Sequence, residues 1–295
     1  MNIKKVSGIA AAVVLASSMT APAHAGVELV AGDLKITFNA YDAGTINYPG
    51  TNSVHCTTAA ACDAVPGIRP APNGVGSEDT WGIFSVATIT RLSNGANLYT
   101  SGQNGLYLTG IFGGIVDTFV EGYSASSGQS TRALGTGGWL RMYENTANYD
   151  ASLGPSYRSA DGNSYTGITD GELYLEAEFG AGVYFGLPQY TYLSEFGSNS
   201  YAGRSEGYLN VTGGREAAKF DTDMQFDPNG GSHDLYLQTT YRPTGLNPND
   251  PLSWTVVAAG QADANTRAVP EPGSLALLGL GFAGLAGLRR RKAAK

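Results

Sequence analysis

Residues 172–179 read ELYLEAEF, in which apolar side chains alternate with glutamate or tyrosine. Successive side chains of a β-strand point to opposite faces, so this period of two predicts a strand with one face in a core and the other in solvent. We expect Tyr174 and the glutamates to face outward. The core-facing set is Leu173, Leu175, Ala177 and Phe179.

Similar patterns recur along the chain and favour strands almost everywhere between residues 26 and 262. Further strands are predicted at 34–38, 81–92, 105–112, 115–123, 139–144, 183–187, 234–242 and 254–263. The pair Gly113-Gly114 predicts a hairpin turn, because primed turns need residues that accept a positive φ. Many short strands at regular spacing predict an all-β fold, a single antiparallel β-sandwich that is jelly-roll-like.

The composition of the 295 residues fits this fold. Hydrophobic residues make up 42% of the chain, enough for a core, and charged residues only 15%, below the ~25% usual in soluble domains. The net charge of −7 argues against a nucleic-acid partner, since binding phosphates requires a concentrated basic face.

The N-terminus has the three parts of a Sec signal peptide at residues 1–25. Lys4 and Lys5 form a basic region, a short apolar run follows, and Ala23 and Ala25 provide an A-x-A cleavage site. We predict export through the Sec translocon and cleavage after Ala25.

The C-terminus has a second composite signal at residues 270–295, separated from the all-β domain (26–262) by a spacer at 263–269. An apolar helix is predicted at 275–288; its length of ~21 Å is short for a ~30 Å hydrocarbon core. A basic tail follows at 289–295, which favours the cytoplasmic side. The sorting motif consists of Val269, Pro270, Glu271 and Pro272, and the tail contains Arg289, Arg290, Arg291 and Lys292.

This C-terminal stretch resembles the PEP-CTERM sorting signal of Gram-negative bacteria in its Pro-Glu-Pro triplet, its small-residue helix and its terminal arginines. The resemblance implies processing by an exosortase-type protease, transient anchoring in the inner membrane by the C-terminal helix, and transfer to the cell surface or extracellular space. It also implies an association with exopolysaccharide, biofilm or flocculation. It does not assign the body to a family.

The two terminal signals conceal a strongly acidic body. Seven of the 18 basic residues and one of the 25 acidic residues lie in the signals, which leaves 11 basic and 24 acidic residues and a charge of −13. Such a domain is expected to avoid anionic polymers unless cations bridge them, and to attract calcium.

Cys56 and Cys62 are the two cysteines of the chain. In an exported protein such close cysteines predict a local disulfide. A zinc site is the alternative; it would need two more ligands, and only His55 and Asp63 are nearby.

Two groups of oxygen-bearing residues suggest calcium as a cofactor. The first resembles an EF-hand loop in its spacing, but it lacks the glycine at the sixth position and flanking helices. The second is an acidic cluster that also fits a turn. The residues are Asp161, Asn163 and Glu172 in the first group, and Asp221, Asp223 and Asp227 in the second.

No coherent catalytic set is evident. Ser205 fits a G-x-S-x-G pattern, but a strand-like sequence follows it and His233 would have to be the base, so a serine in a glycine-rich turn is the better interpretation. We therefore predict no enzyme activity and a non-catalytic structural, adhesive or glycan-binding domain. The alternative is a secreted hydrolase acting on polysaccharide. Candidate sugar-stacking residues are Trp139, Tyr190, Tyr192 and Trp254.

Overall fold

The computed structural model describes residues 26–27, 29, 31–44, 55–63, 74–125, 128–197, 200, 202–244 and 253–267. The structure is mostly β, with 57% strand and 8% helix. The strands are β1 (Gly32–Asp42), β2 (His55–Cys56), β3 (Thr80–Arg91), β4 (Asn97–Thr100), β5 (Tyr107–Ala125), β6 (Gly128–Asn145), β7 (Glu172–Gly180), β8 (Tyr192–Gly197), β9 (Gly203–Gly213), β10 (Gln225–Phe226), β11 (Ser232–His233), β12 (Leu235–Pro243) and β13 (Val256–Thr266). The short helices are α1 (Ala59–Asp63) and α2 (Ala217–Phe220), with 3-10 turns at Gln103–Gly105, Ala151–Leu153 and Pro155–Tyr157.

Eight strands pair in a closed antiparallel ring. The order is β5, β3, β1, β13, β12, β9, β7 and β6, and β6 pairs back onto β5. Two strands pair with both β6 and β9 and lie between them: β8 at one end of the ring and β7 at the other end. The all-β antiparallel prediction is confirmed. The sheet closes in a barrel-like arrangement, and this closure depends on pairings between distant strands that periodicity does not reveal.

Gly113 and Gly114 do not form the predicted hairpin turn, because both lie inside the single long strand β5. Gly114 N donates a hydrogen bond to Glu78. A Cβ atom at Gly113 would lie 2.5 Å from Oε1 of that carboxylate, and one at Gly114, whose φ is +75°, would lie 2.8 Å from Cδ1 of Trp139. The glycines therefore allow Glu78 and Trp139 to approach the strand closely. The strand predicted at 183–187 is also wrong, since that segment is a turn closed by a bridge between Tyr184 and Leu187.

The strand predicted at 172–179 is confirmed as β7, with two differences. Leu173, expected in the core-facing set, is only partly buried. Tyr174 is fully buried although its position predicts exposure. Its hydroxyl donates to Val27 O at 3.2 Å, and the Arg215 guanidinium lies 5.3 Å from its ring centroid. A register shift pairs Leu173 with Tyr143 and Leu175 with Met142, so Tyr174 is the extra residue of a bulge and packs in the same core as Leu175.

Two cores lie on opposite faces of the ring. On β3, Phe84 and Val86 belong to the core inside the ring, whereas Trp81 and Ile83 point to a second core outside it. The connection between β6 and β7, which includes two 3-10 turns, covers this second core with residues such as Tyr165. The connection between β6 and β7 is therefore part of the packed structure.

β13 ends four residues later than the domain boundary that we predicted. Residues 263–266, expected in the spacer, belong to this strand, and Arg267 N donates to Lys219 O at 2.9 Å. At the other end of the domain, Gly32 N donates to Thr266 Oγ1 at 3.1 Å. The first and last strands of the ring are thus neighbours. The predicted signal peptide and sorting signal lie outside the described residues.

Candidate functional site

Two loops display exposed aromatic rings at one part of the surface. Phe185 is 78% exposed and Phe226 is 66% exposed. Asn229 joins the two loops: its Nδ2 donates to Gly182 O at 2.8 Å and to Tyr184 O at 3.0 Å. In return, the amide of the residue after Phe185 donates to Asn229 Oδ1 at 3.0 Å. We call this feature the Phe185–Phe226 surface.

Asp227 organises the loop that follows Phe226. Its Oδ1 accepts the amides of Asn229 at 2.6 Å and Gly231 at 3.1 Å, and its Oδ2 lies 3.0 Å from His233 Nε2. Desolvation raises the pKa of Asp227, but the hydrogen bonds from His233 and the two amides outweigh it and lower the pKa overall. His233 is in turn held by Asn210, with 2.9 Å between Nδ1 and Oδ1. This carboxylate has a structural role.

The other members of the second predicted calcium group have separate partners. Asp221 lies 3.4 Å from an Arg267 guanidinium nitrogen. The amide of Asp223 donates at 2.9 Å to Asp234, a buried carboxylate that also accepts the amide of Thr222 at 2.6 Å. The loop is thus folded around Asp234, which the sequence pattern did not single out.

The members of the first predicted calcium group also have separate partners. Asp161 accepts hydrogen bonds from Ser159 Oγ at 2.6 Å and from Asn163 N at 3.2 Å, whereas Glu172 forms an ion pair with Arg215 at 2.6 Å. Asn163 Oδ1 accepts from Arg141 at 3.1 Å. Among the residues that the structure describes, no group of three or more His, Cys, Asp or Glu side chains is arranged to hold a metal ion. Calcium binding stays a prediction.

Ser205 lies within strand β9 rather than in a turn or at a strand-to-helix elbow. Its hydroxyl shares a 2.5 Å hydrogen bond with Thr239 Oγ1. His233, the base that the G-x-S-x-G pattern would require, is bonded to Asp227 and Asn210 instead. The structure does not bring this serine and histidine together.

The four predicted stacking residues are not open platforms. Trp254 is buried, and its Nε1 donates to Ala151 O at 2.7 Å. Tyr190 is buried, Tyr192 lines the interior of the ring, and the Arg141 guanidinium covers Trp139 at 4.6 Å. Phe185 and Phe226 have the most exposed aromatic rings among the described residues, and Tyr157 is also exposed, at 46%. The sequence signal for Phe185 and Phe226 was, in each case, a lone phenylalanine beside a turn sequence. These sequences are FGLP at 185–188 and FDPNGG at 226–231.

The ring encloses a cavity, which we call the interior cavity. The volume that the centre of a water molecule can occupy is about 110 Å³. Alternate residues of four strands point into it, namely 36, 38, 40 and 42 of β1, 84 and 86 of β3, 235, 237, 239 and 241 of β12, and 256, 258 and 262 of β13. Alanines on several strands, among them Ala40, Ala177 and Ala258, leave this space unfilled because their side chains are short.

One end of the interior cavity is polar. Tyr241 Oη and Ser194 Oγ share a hydrogen bond of 2.5 Å, and the Tyr192 hydroxyl interacts with Ser205. The negative charges of Asp42 and Asp117 act on both tyrosines. Burial raises the pKa of both tyrosine hydroxyls, and these two charges raise it further.

Asp42 is the last residue of β1, is partly buried, and lines the interior cavity. Burial raises the pKa of its carboxyl to about 7, opposed by a hydrogen bond from the Gly44 amide and assisted by the negative charge of Glu78. The carboxyl therefore changes its charge near neutral pH.

Cys56 and Cys62 form the predicted disulfide, which excludes the zinc alternative at these cysteines. Both residues are buried with Val120 and Phe196 in a small cluster of their own. The disulfide thus fixes the segment from β2 to α1 against β5.

Comparison with known proteins supports the terminal signal and assigns no family to the body. Residues 268–292 match the PEP-CTERM protein-sorting motif. No curated protein and no solved structure matches the chain. Within the described part of the chain, none of the helices has the length and apolar character needed to span a bilayer. The motif indicates an exported protein that is handled at the membrane and processed by an exosortase.

Proposed function

We propose that the protein is a non-catalytic glycan-binding domain of the cell surface or extracellular matrix, and that it associates with exopolysaccharide through the Phe185–Phe226 surface. The exposure of these two rings carries the proposal. Contiguous exposed apolar patches commonly mark interaction sites, and Asn229 holds together the two segments that carry Phe185 and Phe226. Aromatic rings can also pack against the apolar faces of sugar rings with little loss of side-chain entropy.

The loops that present the two rings support this role, because Asn229 and Asp227 fix both of them before a ligand arrives. A preorganised surface avoids the entropic cost of ordering loops on binding. The net charge of −13 for residues 26–270 favours a neutral or cationic polysaccharide, or an anionic one bridged by divalent cations. The sorting motif supports release near the cell surface after transient anchoring of the C-terminal helix in the inner membrane.

The alternative, a secreted polysaccharide hydrolase, requires two carboxyl groups facing each other across a cleft. Several carboxylates on the ring instead form ion pairs: Glu176 with Arg141 at 2.6 Å, and Glu195 with Arg132 at 2.9 Å.

Cosedimentation with exopolysaccharide purified from the producing cells tests the proposal. The double variant Phe185→Ala/Phe226→Ala should lose binding about tenfold or more if the rings are the main contacts. Leu92→Ala is the matched control, because Leu92 is 52% exposed on a different turn. Unchanged binding by the double variant would refute the surface assignment, and release of reducing sugars from the polysaccharide would favour the hydrolase.

A further inference from the structure

We propose that the interior cavity is a binding site for a small organic cation, a molecule with an apolar body and one ammonium group. This inference is independent of the Phe185–Phe226 surface, which lies on the outside of the protein. It rests on the shape of the cavity, on the chemistry of its walls, and on one carboxylate at its polar end.

The size of the cavity suits a ligand of limited length. The centre of a water molecule can occupy about 110 Å³ of the cavity, which is room for several water molecules. Closed rings of about eight strands are known to be just wide enough to be filled by side chains or to hold one small ligand. A molecule of about ten non-hydrogen atoms fits this space.

The walls favour an apolar body. Phenylalanines from several strands line the cavity, among them Phe38, Phe84, Phe112 and Phe179. Phe38 and Phe84 meet edge to face, with 5.9 Å between ring centroids. Aromatic faces also attract cations, which adds to the preference for a ligand that carries positive charge.

The polar end favours an ammonium group over a neutral one. Ser194 pairs with Tyr241 and Ser205 pairs with Thr239, so these hydroxyls already satisfy one another. Asp42 differs: the one hydrogen bond of its side chain within the described residues is the one that Oδ1 accepts from the Gly44 amide. A carboxylate that lines a largely apolar cavity is the natural partner of an N–H group with positive charge.

The electrostatics of the cavity agree with this choice. Asp42 and Asp117 line it, and none of the described lining residues is Lys, Arg or His. An anionic ligand would be repelled, and a metal ion would lack the oxygen shell that it needs, because the walls are largely apolar. The raised pKa of Asp42 reflects its desolvation, and an ammonium group beside it would lower that pKa and restore the ionised form.

Calorimetry on the exported protein with three probes of similar shape tests the inference. The probes are phenethylamine, phenethyl alcohol and hydrocinnamate, which carry a positive, a neutral and a negative group on the same phenylalkyl body. At about pH 8, where Asp42 is mostly ionised, the amine should bind at least about tenfold more tightly than the alcohol, and the anion should not bind. Equal binding of amine and alcohol, or no binding of the amine, would overturn the proposal.

Variants locate the site. Asp42→Asn should weaken amine binding about tenfold and leave alcohol binding unchanged. Asp161→Asn, which removes an exposed carboxylate elsewhere, should change neither. Ala258→Leu fills the cavity and should abolish binding of both probes. Amine binding that survives both Asp42→Asn and Ala258→Leu would place it outside the cavity and refute the inference. If Asp42→Asn does not fold, the ratio of amine to alcohol affinity in the unaltered protein still decides the matter.

Discussion

Glu144 Oε2 accepts the backbone N–H of Val27 at 2.6 Å, across 117 residues of sequence. From the other side, the Tyr174 hydroxyl donates to Val27 O at 3.2 Å. Val27 and Leu29 are both buried, so the segment before β1 is an integral part of the core. Cleavage after Ala25, as the sequence predicts, would leave only Gly26 before this anchored segment.

Replacement of Glu144 by glutamine should therefore destabilise the fold. Glu144 is 8% exposed and also pairs with Arg215 at 2.9 Å, so Glu144→Gln weakens a buried, charge-assisted contact. We expect a loss of about 1–3 kcal/mol in the free energy of unfolding, measured by urea denaturation. Glu172→Gln is the matched control, because Glu172 pairs with the same arginine but its side chain is 44% exposed; its loss should be about 0–1 kcal/mol. Equal losses would contradict the anchoring role of Glu144.

The buried ion pair between Arg158 and Glu78 should contribute more to stability. The side chains are 1% and 3% exposed, and Arg158 also lies 4.3 Å from the Trp81 ring centroid. Arg158→Met leaves the carboxylate buried without its cation, so we expect a loss of about 3–5 kcal/mol. Arg204→Met, at a side chain that is 70% exposed, should cost about 0–1 kcal/mol. Thermal and urea unfolding of the two variants would show whether the ranking holds.

Reduction of the disulfide should have a small, local effect. Cys56 and Cys62 are six residues apart, and closing so short a loop stabilises a protein by about 2 kcal/mol at most in the chain-entropy model. The exported protein should have a mass about 2 Da below its reduced formula, because each disulfide removes two hydrogens. Hydrogen exchange should increase in residues 55–63 after reduction and stay unchanged in β12 and β13. Global unfolding on reduction would show that the disulfide supports the whole ring.

Asp42 should make stability depend on pH in the direction opposite to that of most carboxylates. Its pKa is about 7 in the folded protein, above its ordinary value of 3.8, so between these values the folded state holds a proton that the unfolded state has lost. Stability should fall as the pH rises from about 4 to about 7, and this contribution should be constant above 7. Asp117, Tyr192, Tyr241 and Glu78 are the titratable groups that act with Asp42 here.

Comparing Asp42→Asn with the unaltered protein isolates the contribution of Asp42 to the pH dependence of stability, since the other carboxylates titrate equally in both. Relative to the unaltered protein, the variant should gain up to about 4 kcal/mol in free energy of unfolding as the pH rises from 4 to 7. A constant difference across this range would show that Asp42 titrates normally.

The sequence predicted the parts of this fold that depend on neighbouring residues. The alternation in 172–179 locates β7, and the spacing of the cysteines indicates their disulfide. Features that depend on distant contacts were missed. Gly113-Gly114 resembles a turn locally, but the two glycines lie inside a strand, where Glu78 and Trp139 approach the backbone closely. Tyr174 has the position of an exposed residue, and it is buried because a bulge in β7 breaks the alternation there and Val27 packs against it.

The interior cavity was not predictable for a similar reason. Each of its alanines is an ordinary residue of a half-buried strand, and the space appears only when the ring closes. Asp42 likewise follows a predicted strand as a polar residue that a turn would accommodate. The closed pairing places its carboxylate inside the ring instead.

The position of β13 predicts where the chain can be shortened. β13 lies between β1 and β12, so the ring cannot close without it, whereas the sorting motif begins one residue after Arg267. A stop after Arg267 should give a protein that unfolds cooperatively, with a melting temperature within a few degrees of the full exported domain, since all described contacts remain. It should fail to reach the cell surface, because the signal for the exosortase is absent.

A stop after Thr255 removes β13 and exposes two unpaired strand edges, so we expect no cooperative unfolding and rapid proteolysis. Circular dichroism on heating and fractionation of the cells distinguish these results. Surface delivery of the Arg267 truncation would contradict the role of the motif, and a folded Thr255 truncation would contradict the closed ring.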